Sequence, residues 1–233
     1  MVDRTRGARK RHAPAAEAGD QVVVIGLGRF GGAVAAELCR LQFEVLGIDG
    51  DGDRIQHYSE MLTHVVQADS TNQAALQQLG VADFSHAVVG IGTDIEASIL
   101  TVAALEDLGV SNIWAKAVTK EHGRILERVG AHHVVYPEHD MGHRVAHLVG
   151  GRIIDWFQLD EDFAMVETAV PDELAGRSLG EMGIRARYGV TVVCVKPAGQ
   201  SFTYATPDTV LEKGTILVVA GPGKSAAAFA ALD

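Results

Sequence analysis

The 233-residue sequence predicts an α/β chain, a doubly wound parallel sheet followed by a smaller α+β domain. Three observations carry the prediction. From Gln21 onward short β-branched runs alternate with helical stretches, the runs are apolar almost without interruption, and near residue 150 the alternation stops. Strands lacking a polar face belong to a sheet covered on both sides, and strands separated by helices belong to parallel crossover units.

In order, strands are expected at 22–25, 44–48, 64–67, 86–91, 112–116 and 133–136. Ser70 with Gln73, and Thr93 with Glu96, have the spacing of reciprocal helix caps, a hydroxyl accepting from the third helical N–H whose side chain returns to the cap. Gly80, Gly109 and Gly130 follow helical patterns, where a left-handed residue ends a helix. A longer helix, about 137 to 149, leads away from the sheet. Beyond it IIDWFQL and FAMVETAV read as two strands, Pro171 opens a turn-rich segment, strands recur near 190–195 and 216–219, and a terminal helix follows Pro222. The expected organisation is a disordered basic tail over 1–19, a first domain with its trailing helix over 20–150, and a second domain over 151–233.

Composition excludes several classes of function. With 47% hydrophobic and 21% charged residues the chain is globular in character. No apolar run approaches the ~18 residues of a membrane span, and the charged start MVDRTRGARKRH has no apolar stretch behind it to act as a secretory signal; a cytosolic protein is expected. The formal net charge is −10, and because residues 1–20 carry five basic and three acidic side chains, the remainder holds −12. So acidic a body predicts no nucleic-acid partner. Cys39 and Cys194, far apart in sequence, are expected to be small buried residues, not a disulfide.

Strand 22–25 runs directly into Gly26-Leu27-Gly28-Arg29-Phe30-Gly31, a GxGxxG opening a helix, which makes the first domain Rossmann-type. Gly26 permits a tight turn, Gly28 lets phosphate approach the backbone, Gly31 lets helix pack on strand, and the helix N-terminus offers free N–H groups. Asp49 ends the next strand 18 residues after Gly31, the place of an acid that holds ribose hydroxyls and repels a 2′-phosphate. Packing glycines and a capping Asp49 are the bland alternative. The pattern does not separate NAD from ATP, ADP or AMP. Arg29 adds a planar cationic fork at the phosphate turn, or is a surface arginine at a helix start. Phe30, inside the fingerprint, and Ile91 and Gly92, closing the fourth strand, complete this group.

GLGRFGG, VLGID, GIGTDIEASIL, NIWAKA and VGAHHVVYPEHDMG, in that order, resemble the nucleotide-binding RCK domain of KtrA- and TrkA-like regulatory subunits of Ktr/Trk potassium-uptake systems. GIRARYGVTVVCVK and GTILVVAG resemble their C-terminal ligand-binding domain, so the likeness covers nearly everything after residue 20. The resemblance implies a cytoplasmic homo-oligomer, dimers assembled into an octameric ring, peripheral to the inner face of the membrane on a potassium-translocating subunit of KtrB/TrkH type. It implies ATP and ADP competing for one site, with NAD/NADH the alternative. Asp49 would then hold ribose, Arg29 the terminal phosphate of ATP in a neighbouring subunit, and Asp69 and Ser70 would lie near adenine. Lys116, ending the fifth strand, lies on the ligand-binding edge of such sheets, or is a strand-end lysine reaching solvent. Glu138 matches a ligand for a divalent cation, Mg or Ca, at the dimer contact; read by itself it is a helix N-terminal acid.

His139, His143 and His147 fall at i, i+4 and i+8, a spacing that could chelate a transition metal; without a completing carboxylate or cysteine the stripe is read as a half-exposed interface. In the second domain Arg185, Arg187 and Tyr188 suit an anionic nucleobase-bearing ligand. The resemblance implies cyclic di-AMP there, with Pro207, yet Leu179-Gly180 stands where such binders carry two bulky aliphatic residues and Thr191 replaces an amide, so surface ion pairs are the preferred reading of both arginines. The expected function is a non-enzymatic regulatory subunit gating potassium uptake. The rival is a small NAD-dependent oxidoreductase, against which the second domain offers no histidine as a proton donor.

Overall fold

The computed structural model describes residues 20–233; the expected tail over 1–19 lies outside the described residues. The chain divides into two compact units, the second being His139–Asp233.

The first unit holds β1 (Gln21–Ile25), β2 (Glu44–Asp49), β3 (His64–Gln67), β4 (His86–Val89), β5 (Asn112–Lys116) and β6 (His133–Val135). They form one sheet in the order β3-β2-β1-β4-β5-β6, every pair parallel. The order reverses at β1, and the carboxyl edge beside that reversal is where doubly wound sheets bind ligands. The helices are α1 (Arg29–Arg40), α2 (Gly52–Tyr58), α3 (Gln73–Gln78), α4 (Ile95–Asp107) and α5 (Lys120–Arg128).

Strand alternation explains why these strands are apolar throughout. Val23 and Ile25 pack in a cluster with Leu76 of α3, Leu105 of α4 and Leu126 of α5, while Val22 and Val24 join Ala35 of α1 and Ile55 and Tyr58 of α2. Each fully buried Val, Leu or Ile contributes roughly 1.5–3 kcal/mol, so both faces hold the sheet.

Both expected caps are displaced. Asn72 caps α3, accepting from the N–H of Ala74 and Ala75, and Asp94 caps α4, accepting from Ala97. Asn and Asp cap at least as well as Ser and Thr and stand one or two residues closer to the helix. Ser70 is instead buried, its hydroxyl 2.8 Å from that of Thr101. The fourth strand ends at Val89, two residues short of expectation; the Gly90 N–H still donates to the Ile25 carbonyl at 2.7 Å, and Gly90, Ile91 and Gly92 go on to line the cleft. Cys39 and Cys194 are free and half-buried.

Helix α6 (Pro137–Leu148) begins at the end of the first unit and belongs to the second from His139 on. The second unit adds β7 (Ile153–Asp160), β8 (Phe163–Ala169), β9 (Thr191–Lys196), β10 (Thr203–Tyr204) and β11 (Ile216–Pro222), an antiparallel sheet ordered β10-β9-β11-β8-β7. Short helices α7 (Leu179–Met182) and α8 (Ile184–Tyr188) precede β9, and α9 (Gly223–Ala230) closes the chain. Trp156, Val166, Leu174, Met182, Leu217 and Phe229 form its core. Arg144 of α6 grips Asp155 of β7 through two bonds of 2.7 and 2.5 Å, and the His147 ring stacks on Trp156 with centroids 3.7 Å apart. β7 is an edge strand exposing Ile154, Phe157 and Leu159, and its pairing with β8 shifts register twice. Among the described residues no helix is long and apolar enough to cross a membrane.

Candidate nucleotide-binding site

β1 delivers the chain into the glycine loop, and α1 starts at Arg29 with Gly28 as a cap that has no side chain to offer. The first N–H groups of α1 therefore face outward with their partial positive charge. Gly26 is left-handed, with φ +87°, and a Cβ on Gly31 would stand 1.9 Å from the Gly26 carbonyl oxygen. Loop and helix thus touch, and only glycine fits between them. A Cβ on Gly28 would meet nothing nearer than the Arg54 guanidinium at 3.9 Å, which leaves open space of the kind a phosphate needs.

Asp49 ends β2 and is 7% exposed. Its Oδ2 accepts from the Leu27 N–H at 2.7 Å and from Arg54 Nη1 at 3.2 Å, and its Oδ1 accepts from the Asp51 N–H at 2.9 Å. The carboxylate thus clamps the glycine loop. With three of its roughly four lone-pair sites used, it retains one for a ribose hydroxyl, or two once Arg54 swings aside. Arg54, on α2, went unread in the sequence; its signal was its position five residues past the acid.

These groups line a cleft of about 1140 Å³ at the carboxyl edge of the sheet. The structure brings every first-domain candidate except Gly31 to its walls, Gly31 lying beneath the loop. Asp69 is tied into its own turn by the hydroxyl and N–H of Thr71, which hold its carboxyl below the usual range. Lys116 is 11% exposed and donates to Glu138 Oε1 at 2.5 Å, with its ammonium 5.9 Å from the Phe30 ring. That bond, chiefly, and the Arg29 charge, least, hold the Glu138 carboxyl below its ordinary value against the opposing effect of burial. The Arg29 guanidinium is exposed and, among the described residues, makes no hydrogen bond or ion pair.

The cleft therefore gathers an open helix N-terminus, the Arg29 guanidinium and Lys116 with the hydrogen-bonding acid Asp49, groups of the kind that suit phosphate and ribose hydroxyls. Among the described residues no three His, Cys, Asp or Glu side chains are placed to hold a metal. Glu138 alone fits a hard cation only if phosphate oxygens and water complete the six to eight oxygens of calcium or the octahedron of magnesium.

In the second unit, Arg185 and Pro207 share a largely apolar groove of about 410 Å³ with Leu179, Gly180 and Thr191. Arg187 and Tyr188 do not line it. The Tyr188 hydroxyl donates to Glu173 at 3.0 Å and Arg187 lies over the Tyr188 ring at 5.1 Å. Neither arginine forms an ion pair among the described residues, so the ion-pair reading gives way to a cation–π contact for Arg187 and to groove lining for Arg185. Gly180 is explained by packing: its N–H donates to the Pro207 carbonyl at 2.8 Å, and a Cβ there would meet that oxygen at 3.1 Å.

Residues 22–137 match the TrkA-N domain and residues 164–232 the TrkA-C domain. Ktr system potassium uptake protein C of Bacillus subtilis (strain 168) is 38% identical over 202 residues, covering 86% of this chain and 91% of that protein. This chain belongs to the KtrA/TrkA-like RCK family. Ktr system potassium uptake protein A of the same organism is 34% identical over 210 residues, covering 90% of this family member and 95% of its own length. Among solved structures, the GsuK RCK domain superposes with a TM-score of 0.63 at 23% identity, over 98% of this chain but 50% of the longer GsuK chain. The GsuK channel bound to NAD gives 0.62 at 22% identity, over 94% of this chain and 40% of its own. At that identity the likeness establishes the shared RCK fold.

Proposed function

We propose that this RCK protein is a non-enzymatic regulatory subunit of a membrane potassium-uptake system, and that its cleft senses the phosphorylation state of an adenine nucleotide. The Ktr relatives support the regulatory role. The observation that carries the nucleotide reading is Arg29, an exposed guanidinium without a hydrogen bond or ion pair among the described residues, at the open N-terminus of α1 in the cleft that Asp49 also lines. ATP and ADP share ribose and inner phosphates; only ATP offers the outer group a fork such as Arg29 can clamp. Equal affinity in two conformations would shift nothing, so the γ-phosphate supplies the difference that regulation requires. NAD(H) is the alternative ligand, favoured by the GsuK channel bound to NAD.

Phosphate would also compete for Lys116, which donates to Glu138. A nucleotide that draws Lys116 away leaves the Glu138 carboxylate facing phosphate oxygens, the oxygen-rich surroundings that Mg or Ca takes. Assembly of dimers into a ring on the inner face of the membrane, against a translocating subunit, belongs to the same proposal. Two exposed apolar surfaces support self-association. One is a groove of about 360 Å³ beside Trp114 and Val88, into which the buried His86 ring brings two unpartnered nitrogens; the other is the exposed Met141 and Val145 of α6 with Val149 just beyond its end.

Calorimetric titration with ATP and ADP tests the reading. Arg29→Ala is expected to weaken ATP tenfold to a hundredfold, the equivalent of one charge-assisted bond of about 1.5–3 kcal/mol, and ADP by less than threefold. Equal losses would end the γ-phosphate mechanism, and no binding of either by the unaltered chain would end the nucleotide reading.

A further inference from the structure

The histidines of α6 do not behave as one stripe. His147 turns into the second unit and stacks on Trp156, whereas His139 and His143, both exposed, bring their rings to a centroid separation of 4.4 Å. Their spacing of four residues puts them on one helical face, one turn apart. We infer that His139 and His143 form a binding site for a borderline divalent metal ion such as zinc, nickel or copper.

Metal–imidazole bonds of about 2.0–2.1 Å at a tetrahedral angle place the two ligating nitrogens roughly 3.4 Å apart. The two imidazole centroids lie 4.4 Å apart with their planes tilted by 32°, so rotation about the side-chain torsions is what would turn both nitrogens toward one ion. The site also has an outer partner. Asp140 places Oδ1 3.4 Å from His139 Nδ1, close enough to favour the tautomer that keeps the proton on Nδ1. A carboxylate so placed leaves Nε2 as the free lone pair, the arrangement by which ligating histidines are oriented. No third side chain joins among the described residues, so water completes the coordination sphere.

Two neutral nitrogens define the class of metal. Imidazole suits zinc, nickel and copper, while magnesium and calcium require oxygen donors. The histidine pair and Glu138, adjacent in sequence, are thus chemically orthogonal. A bound ion bridges one turn of α6 and restrains it against fraying.

The test is calorimetric titration of the full chain with Zn²⁺ and Ni²⁺ at neutral pH, together with the nitrogen hyperfine pattern of bound Cu²⁺. One site per chain of micromolar order is expected, with two imidazole nitrogens on copper. His139→Ala and His143→Ala should each weaken binding at least tenfold, and His147→Ala by less than twofold. Both ligands are exposed, and unchanged melting without metal confirms that the variants fold. No binding by the unaltered chain, undiminished binding by the His139→Ala, His143→Ala double variant, or an equal loss in His147→Ala overturns the site.

Discussion

The cleft of the first unit and the groove of the second illustrate two ways of making a concave surface. The cleft lies where parallel strands end and a helix begins, so topology supplies its chemistry: outward N–H groups at α1, an acid at the end of β2, a lysine at the end of β5. The groove is walled by α7, α8 and the turn at Pro207, and Arg185 is its single charged lining residue. Topology fixes charge in the first, and local packing, such as Gly180 against Pro207, fixes shape in the second. The open N-terminus of α1, with Arg29 and Lys116 among the residues that line the cleft, suits an anionic group. The groove asks mainly for apolar contact and one negative group.

Removing Asp49 attacks this contrast most strongly. Asp49→Ala is expected to lower ATP and ADP affinity alike by more than a hundredfold while circular dichroism retains the fold, since it deletes the ribose acceptor and orphans the buried Leu27 N–H, a cost of about 1–3 kcal/mol. Strong residual nucleotide binding would assign the ligand to the groove and reverse the comparison.

Two glycines compare the regions as solids. Gly31→Ala drives a methyl against backbone at 1.9 Å and should cost about 3 kcal/mol by chemical denaturation, whereas Gly180→Ala, at 3.1 Å, should cost about 1 kcal/mol or less. Similar costs would mean that the glycine loop yields as easily as the groove.

A smaller effect follows from the Lys116–Glu138 pair. Glu138→Gln frees Lys116 for phosphate, and in chelator the affinity for ADP should rise threefold to tenfold, read by the same titration. A fall instead would show that Glu138 helps the nucleotide directly.

The smallest is a pH effect confined to the first unit. His122, 2% exposed on α5, has its pKa lowered by burial. Its unfolded counterpart takes up a proton first, so stability is full above ~6.5 and declines as pH falls toward the lower folded value. His122→Gln should flatten melting temperature between pH 6.5 and 5 by a few degrees; an unchanged slope would place the acid sensitivity elsewhere.

Much of the first unit was legible because strand alternation, glycine spacing and the position of Asp49 are local patterns. The six strands emerged with ends shifted by two residues or fewer. The caps did not, because Asn72 and Asp94 stand beside hydroxyl residues of similar capping chemistry, and position within the turn decides between them. Arg54 was invisible since its value depends on the rotation of α2, and the Lys116–Glu138 bond joins residues 22 apart. In the second unit β10, α7 and α8 run two to five residues, too short for any period to register.

The edge strand β7 has a consequence for handling the second unit by itself. Its outer backbone groups, with Phe157 and Leu159 beside them, are a template on which another extended chain could add and seed aggregates. Two features blunt that hazard. Register breaks after Ile153 and after Gln158 interrupt the ladder, and Asp155 and Asp160 place charge at both interruptions. What remains regular is Asp155-Trp156-Phe157-Gln158, four residues, shorter than the six or seven that a steric zipper uses.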